Sequence, residues 1–167
     1  MKLSTLYTTV PDYIEFAWVT APNAAGQSIS GNTVTTLTLD TEVADTGSLV
    51  SAPTSNQFTL PAGTYYFEAE TKCRVAAVRN ATVFSLYNFS DSAYISKSGR
   101  VSIGSRDSES ISCALNGQFV ISSSKTFELR LLCQVSATVD NGTYSIAFTD
   151  STANADQRTT IKLWKLK

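Results

Sequence analysis

The chain contains no histidine. That absence removes the commonest general base and the commonest metal ligand together, and with them any Ser-His-Asp or Cys-His constellation and any histidine-ligated zinc. Charge is also scarce: Asp, Glu, Lys and Arg make up 16% of 167 residues, against about 25% in an ordinary globular domain. What charge there is nearly cancels, 13 basic residues against 14 acidic, so neither nucleic acid nor an anionic membrane finds an electrostatic footprint. Nothing approaches the ~20 apolar residues of a membrane span, and the opening MKLSTLYTTVPDY has no apolar run of signal-peptide length. A helical 3.6-residue repeat is missing throughout. The expectation is a soluble, non-enzymatic protein with no cofactor, no metal site, no nucleic-acid partner and no membrane insertion.

Cysteine is rare and odd in number. Cys73, Cys113 and Cys133 lie far apart, each on the apolar face of its own strand. They read as reduced, buried thiols acting as small hydrophobes, which favours assembly in a reducing compartment. A disulfide between neighbouring strands is possible, but sequence cannot show it.

Alternation is what the chain has in place of these. The stretch from Gln57 to Arg74, QFTLPAGTYYFEAETKCR, reads as strand, tight turn and long strand. Pro61 presets its φ, and Gly63 is expected to supply a positive φ on leaving the turn. Beyond it, Tyr65, Phe67, Ala69, Thr71, Cys73 and Val75 fall on one side, and Tyr66, Glu68, Glu70, Lys72 and Arg74 on the other. One apolar and one charged face describe a half-buried antiparallel strand. Similar patterns run through 13–20, 33–39, 80–88, 92–97, 110–121, 126–135 and 159–166, with a short strand expected at 47–51 and another around Tyr144, Ile146 and Phe148. In 126–135 the pattern turns Phe127, Leu129, Leu131, Cys133 and Val135 inward and Glu128, Arg130 and Gln134 outward. Asp140-Asn141-Gly142 is the strongest tight-turn signal. About ten short strands with turns every 8–12 residues make an all-β sandwich, jelly roll or barrel. Residues 1–12 read as an N-terminal arm and 13–167 as one domain.

Few side chains suggest chemistry. Asp40, Glu42 and Asp45, like Asp107 and Glu109, lack the rigid spacing of a calcium loop and read as solvated loop charge. Sequons at Asn80, Asn88 and Asn141 have no visible secretory signal to bring them into use. The row Glu68, Glu70, Lys72, Arg74 is either an ordinary solvated face or the charged rim of a subunit interface, and could pair with Glu128 and Arg130 across a sheet. Tyr66 and Trp164 put large rings on that nominally polar side, which suggests a partner surface or, alternatively, aromatic stacking on sugars.

Four segments together carry a family resemblance: NQFTLPAGTYYFEAETKCR (56–74), ATVFSLYNFSDSAYISKSG (81–99), SCALNGQFVISSSKTFELRLLCQ (112–134) and TTIKLWKLK (159–167). In that order they resemble the tumour-necrosis-factor-like and complement-globular-head-like jelly-roll domains of tailed-bacteriophage structural proteins. Many relatives in that group carry a histidine beside the middle segment, where this chain has Arg79-Asn80. The resemblance implies an antiparallel jelly-roll sandwich assembling as a homotrimer around a threefold axis, without enzymatic activity. It also implies a virion protein, assembled in the bacterial host cytoplasm and held by other phage virion proteins as capsid decoration or a short fibre head. With little chain ahead of the resemblance, the arm or the base of the trimer is expected to dock directly on the particle. The alternative is a receptor-binding tail-fibre tip that recognises a host cell-surface glycan through loops 40–56, 98–109 and 149–157. The candidate trimer interface is Tyr66, Glu68, Glu70, Lys72, Arg74 and Trp164.

Overall fold

The alternating segment after Pro61 forms a strand of 13 residues, Gly63–Val75, and this strand joins most of the larger sheet. The computed structural model describes residues 10–20, 25–75, 79–103, 109–139 and 156–166. Among these residues there are twelve strands and no helix: β1 (Asp12–Thr20), β2 (Gln27–Ile29), β3 (Val34–Thr36), β4 (Thr41–Asp45), β5 (Phe58–Leu60), β6 (Gly63–Val75), β7 (Arg79–Asn88), β8 (Ala93–Ile103), β9 (Glu109–Ile121), β10 (Lys125–Cys133), β11 (Ala137–Val139) and β12 (Asp156–Leu166).

Seven strands form one sheet in the order β2-β11-β6-β12-β1-β4, with β9 on the other edge of β6. The length of β6 makes this possible. On one edge Thr64–Thr71 pair with β12 and Cys73–Val75 with β11, while β9 follows the other edge from Gly63 to Val75. The second sheet runs β3-β10-β7-β8, and β5 pairs with β10 beside its partner Asn88 on β7. Every strand-to-strand pairing in both sheets is antiparallel. Two antiparallel sheets with crossing connections, packed over one core, constitute a jelly-roll sandwich.

That core follows from the period-2 pattern. Ile14 and Phe16 of β1, Tyr65 and Phe67 of β6, Ile161 and Leu163 of β12, and Phe127, Leu129 and Leu131 of β10 are all fully buried. A chain of rings links the sheets: Phe16 lies 5.0 Å from Phe58, Phe58 5.8 Å from Phe127, Phe127 5.3 Å from Phe119, and Phe119 5.5 Å from Tyr65. Each such ring pair adds about 0.5–1.5 kcal/mol beyond the area it buries. Gly117 of β9 lies under Phe67, with an added Cβ only 3.0 Å from the ring edge; glycine permits that close approach.

Several expectations change. Gly63 does not adopt a positive φ. The turn is instead pinned by the Tyr65 hydroxyl, which donates to the Pro61 carbonyl at 2.8 Å and is pushed up to about 12 by burial and by Asp12. The short strand expected at 47–51 is irregular chain, and the strand lies earlier, at β4, so Glu42 and Asp45 belong to an element rather than a loop. Asp45 closes the following turn by accepting hydrogen bonds from the amides of Gly47 and Val50. Residues 98–103, expected as loop, extend β8, and β2 lies within a stretch read as loop. Val135, expected inward on a strand through 135, is exposed because the chain leaves β10 after Cys133 to cross to the other sheet. The turn at 140–142 and the strand around 144–148 lie outside the described residues.

Candidate functional site

One face of β6 fills the core, so the other shows what the larger sheet presents to its surroundings. Register fixes the neighbours. Tyr66 pairs with Trp164 of β12 on one side and Gln118 of β9 on the other, and Trp164 pairs in turn with Tyr13 of β1. These three rings form a ladder across three strands, with Tyr13 5.4 Å and Tyr66 5.6 Å from the central Trp164. All three are only half-buried. Beyond them, Val120 of β9 stands 71% exposed, close to the end of the row formed by Leu166, Thr64 and Val120.

The next row along the strands is charged. Lys162 pairs with Glu15 on one side and with Glu68 on the other, so one ammonium sits in register between two carboxylates. Each carboxylate also holds a phenol of the ladder. The Tyr13 hydroxyl donates to Glu15 at 2.5 Å, and the Tyr66 hydroxyl donates to Glu68 at 3.1 Å. Both phenols are raised above their ordinary value: Tyr13 mainly by burial and then by Glu15, Tyr66 mainly by its bond to Glu68. They remain neutral donors at physiological pH. A shallow depression of about 210 Å³ follows, lined by Glu68, Glu70, Ala114, Asn116, Thr160 and Lys162. Lys72 and Arg74 complete β6 on this face, opposite Ser112 and Ser110.

All six side chains expected at an interface therefore lie on one face of one sheet. Glu128 and Arg130 do not join them. They belong to β10 of the other sheet, so the suggested cross-sheet pairing with the β6 charges does not form. Glu128 is also not the solvent-facing residue that alternation assigns: it is 3% exposed, accepting from Arg130 Nε at 2.5 Å and Gln57 Nε2 at 2.9 Å. Arg130 in turn lies 3.3 Å over the Tyr87 ring. Tyr13, Glu15 and Lys162 escaped notice at the face, though their parity opposite Ile14, Phe16, Ile161 and Leu163 was readable in the sequence.

Asp40 and Asn88 hold local structure. Asp40 accepts from the Val19 amide and the Thr41 hydroxyl. Asn88 of the second sequon is 3% exposed and ties its own turn, donating to the Asp91 carboxylate at 2.9 Å and accepting the Asp91 amide at 3.0 Å; no glycan fits there. Asn141 and Asp107 lie outside the described residues. Among the described residues no group of three or more Cys, Asp or Glu is placed to hold a metal ion, and no helix is long and apolar enough to cross a membrane.

A second feature lies on the chain before β5. Residues Ser48 to Thr59, with Thr126 of β10, border an open hollow of about 720 Å³. Its rim is rich in hydroxyl and amide groups, among them Ser51, Thr54, Gln57 and Thr59.

No protein-family model matches the chain, and no curated protein matches it. Solved structures do. Murine APRIL at pH 5.0 aligns with a TM-score of 0.56 and 13% identity over 93% of this chain and 99% of that one. Murine APRIL at pH 8.5 gives 0.54 and 13%, over 93% and 98%. Eiger TNF from S. frugiperda gives 0.55 and 10%, over 94% of both chains. At such identities the likeness concerns architecture, and it spans nearly the whole of each partner: this chain has the tumour-necrosis-factor-like jelly-roll fold.

Proposed function

We propose that the chain is a non-enzymatic structural module that associates with two further copies through the outward face of its seven-stranded sheet, and that the trimer is displayed on a tailed-phage particle as capsid decoration or a short fibre head. The Tyr13–Trp164–Tyr66 ladder carries the reading. Three half-buried rings on the outer face of a sheet, beside an exposed valine, are the kind of apolar patch that monomeric proteins rarely leave in water. The Glu15–Lys162–Glu68 row next to it supplies charges able to fix register between copies. Closed threefold symmetry would use the same face three times without leaving an open end. The phage context rests on the four sequence segments, in their order, and on nothing else.

Light scattering on the purified chain tests the assembly: the expected mass is three times the 18.0 kDa of one chain, and an 18 kDa species at micromolar concentration would overturn it. Titration of labelled protein against phage heads stripped of accessory proteins, and in parallel against host cells, tests the location. Saturable binding to heads alone is expected.

The hydroxyl-rich hollow favours a second reading, a receptor-binding tip that holds a neutral host glycan. Binding to cells that soluble surface polysaccharide competes away would put this reading first.

A further inference from the structure

The hollow before β5 and the turn between β7 and β8 meet at Thr126 of β10. Thr126 lines the hollow, and its hydroxyl lies 3.0 Å from that of Thr59, its register partner on β5. The turn holds the same residue by its backbone. The Phe89 amide donates to the Thr126 carbonyl at 2.8 Å, and the Thr126 amide donates to the Ser90 hydroxyl at 2.9 Å. Phe89 is 50% exposed, so an aromatic ring stands in water beside a wall of hydroxyls and amides. Gln57, also in that wall, is fixed by its Nε2 donation to Glu128.

The wall is held in shape before any ligand arrives. Thr54 and Gln57 exchange backbone hydrogen bonds of 2.9 and 3.0 Å around Ser55 and Asn56. Those two residues have φ values of 54° and 65°, a tight turn with both central residues left-handed. Ser48, at the far end of the hollow, has a φ of 50°, and Asp45 accepts from the Val50 amide nearby. Left-handed backbone at serine and asparagine is costly and persists only where its surroundings impose it. Polar groups fixed in this way bind a ligand without a further ordering cost.

We propose that the hollow and Phe89 form one site for a neutral oligosaccharide, in which Phe89 stacks on the C–H face of a hexose while Thr59, Thr126 and Gln57 bind its hydroxyls. The proposal rests on the glycan-binding reading of the hollow and adds to it the contact residues and the ligand class. Charge selects the class. No side chain lining the hollow is ionised, and the charges around it are paired with one another, Lys125 with Asp91 and Arg130 with Glu128. The geometry of the rings selects the platform. Cations cap Tyr94 and Tyr87, with Lys97 3.5 Å from the first and Arg130 over the second, whereas no ring or cation of a described residue covers Phe89. The electron-rich face of an aromatic ring suits the apolar C–H face of a sugar. A few fixed hydroxyl and amide groups then set its orientation.

The experiment applies the labelled full-length chain to an array of immobilised oligosaccharides, one set built from neutral hexoses and N-acetylhexosamines and a matching set containing uronic acids. Retention on neutral members is expected. Phe89→Ala should weaken that binding roughly tenfold or more, as removal of a contact aromatic does, and Thr126→Val should weaken it several-fold. Val34→Ser, at the other end of β10 where Val34 pairs with Leu132, should leave it unchanged. Melting curves and light scattering on each variant separate loss of the site from loss of the fold or of assembly. Neutral-sugar binding that survives both Phe89→Ala and Thr126→Val would overturn this site and leave the glycan-binding reading standing. Retention only on the uronic-acid set would overturn the ligand class. No retention on either set would overturn the site and that reading together.

Discussion

Glu128 occupies a position that alternation assigns to solvent, and its carboxylate is nevertheless nearly covered, between Arg130 and Gln57. The sequence has no means of announcing this. Burial here comes from the Tyr87 ring under the Arg130 guanidinium, which is set by a strand some 40 residues earlier. Removing the cation leaves a buried charge with one amide donor. Arg130→Met should therefore cost about 2–3 kcal/mol in urea unfolding, short of the ~3–5 kcal/mol of a fully stranded pair, because Gln57 still donates. The Asp91–Lys125 bridge at the β7–β8 turn behaves differently, being solvent-exposed. Lys125 and Asn88 hold the Asp91 carboxyl below its ordinary value of 3.8. A lowered folded-state value means that the contribution is complete above the ordinary value and vanishes as pH falls through the lowered one. Lys125→Met should thus be less stable than the parent at neutral pH, and the gap should close in strong acid; a gap that persists with Asp91 protonated would contradict the assignment.

Strands longer than about eight residues were legible as elements, and so were the short β3 and β5, inside the strands expected at 33–39 and ahead of Pro61, whereas the short β2 and β11 were not. β6, β9 and β10 each repeat apolar side chains often enough to establish a period, whereas β2 and β11 contribute only three residues each. Their existence depends on each other and on the far end of β6. β4 escaped for a related reason: it pairs with β1 across a bulge, so the alternation breaks within five residues. The short β2–β11 pair makes its own prediction. An added Cβ at Gly26 would stand 2.2 Å from the Val139 carbonyl oxygen, a backbone atom that cannot turn aside. Gly26→Ala should lower stability by about 1–3 kcal/mol, with hydrogen exchange rising first at Ala137–Val139. Unchanged exchange there would mean that the segment tolerates separation from β2.

At the scale of the whole molecule, the ladder on the larger sheet predicts how the chain associates. Trp164→Asp places a carboxylate between Tyr13 and Tyr66, and the expected result in light scattering is monomer or insoluble protein. A trimer of unchanged heat stability in both Trp164→Asp and Tyr66→Asp would locate the contact elsewhere. Only part of this face was legible in the sequence: Tyr66 and Trp164 stood out as rings on the charged side, while Tyr13 lay next to a stretch read as an arm. The position of β12 has a further consequence, for the order of events at the ribosome. β12 lies between β6 and β1, bonded to both, so β1 has no route into the larger sheet until residue 166 has left the exit tunnel. Synthesis up to residue 155 leaves the apolar sides of β1 and β6 without the strand that joins them. A nascent chain stalled short of β12 therefore leaves one edge of β1 and most of one edge of β6 open to pairing with other chains; the larger sheet closes only after β12 has emerged, and the speed of that step is set by how quickly strands far apart in sequence find each other.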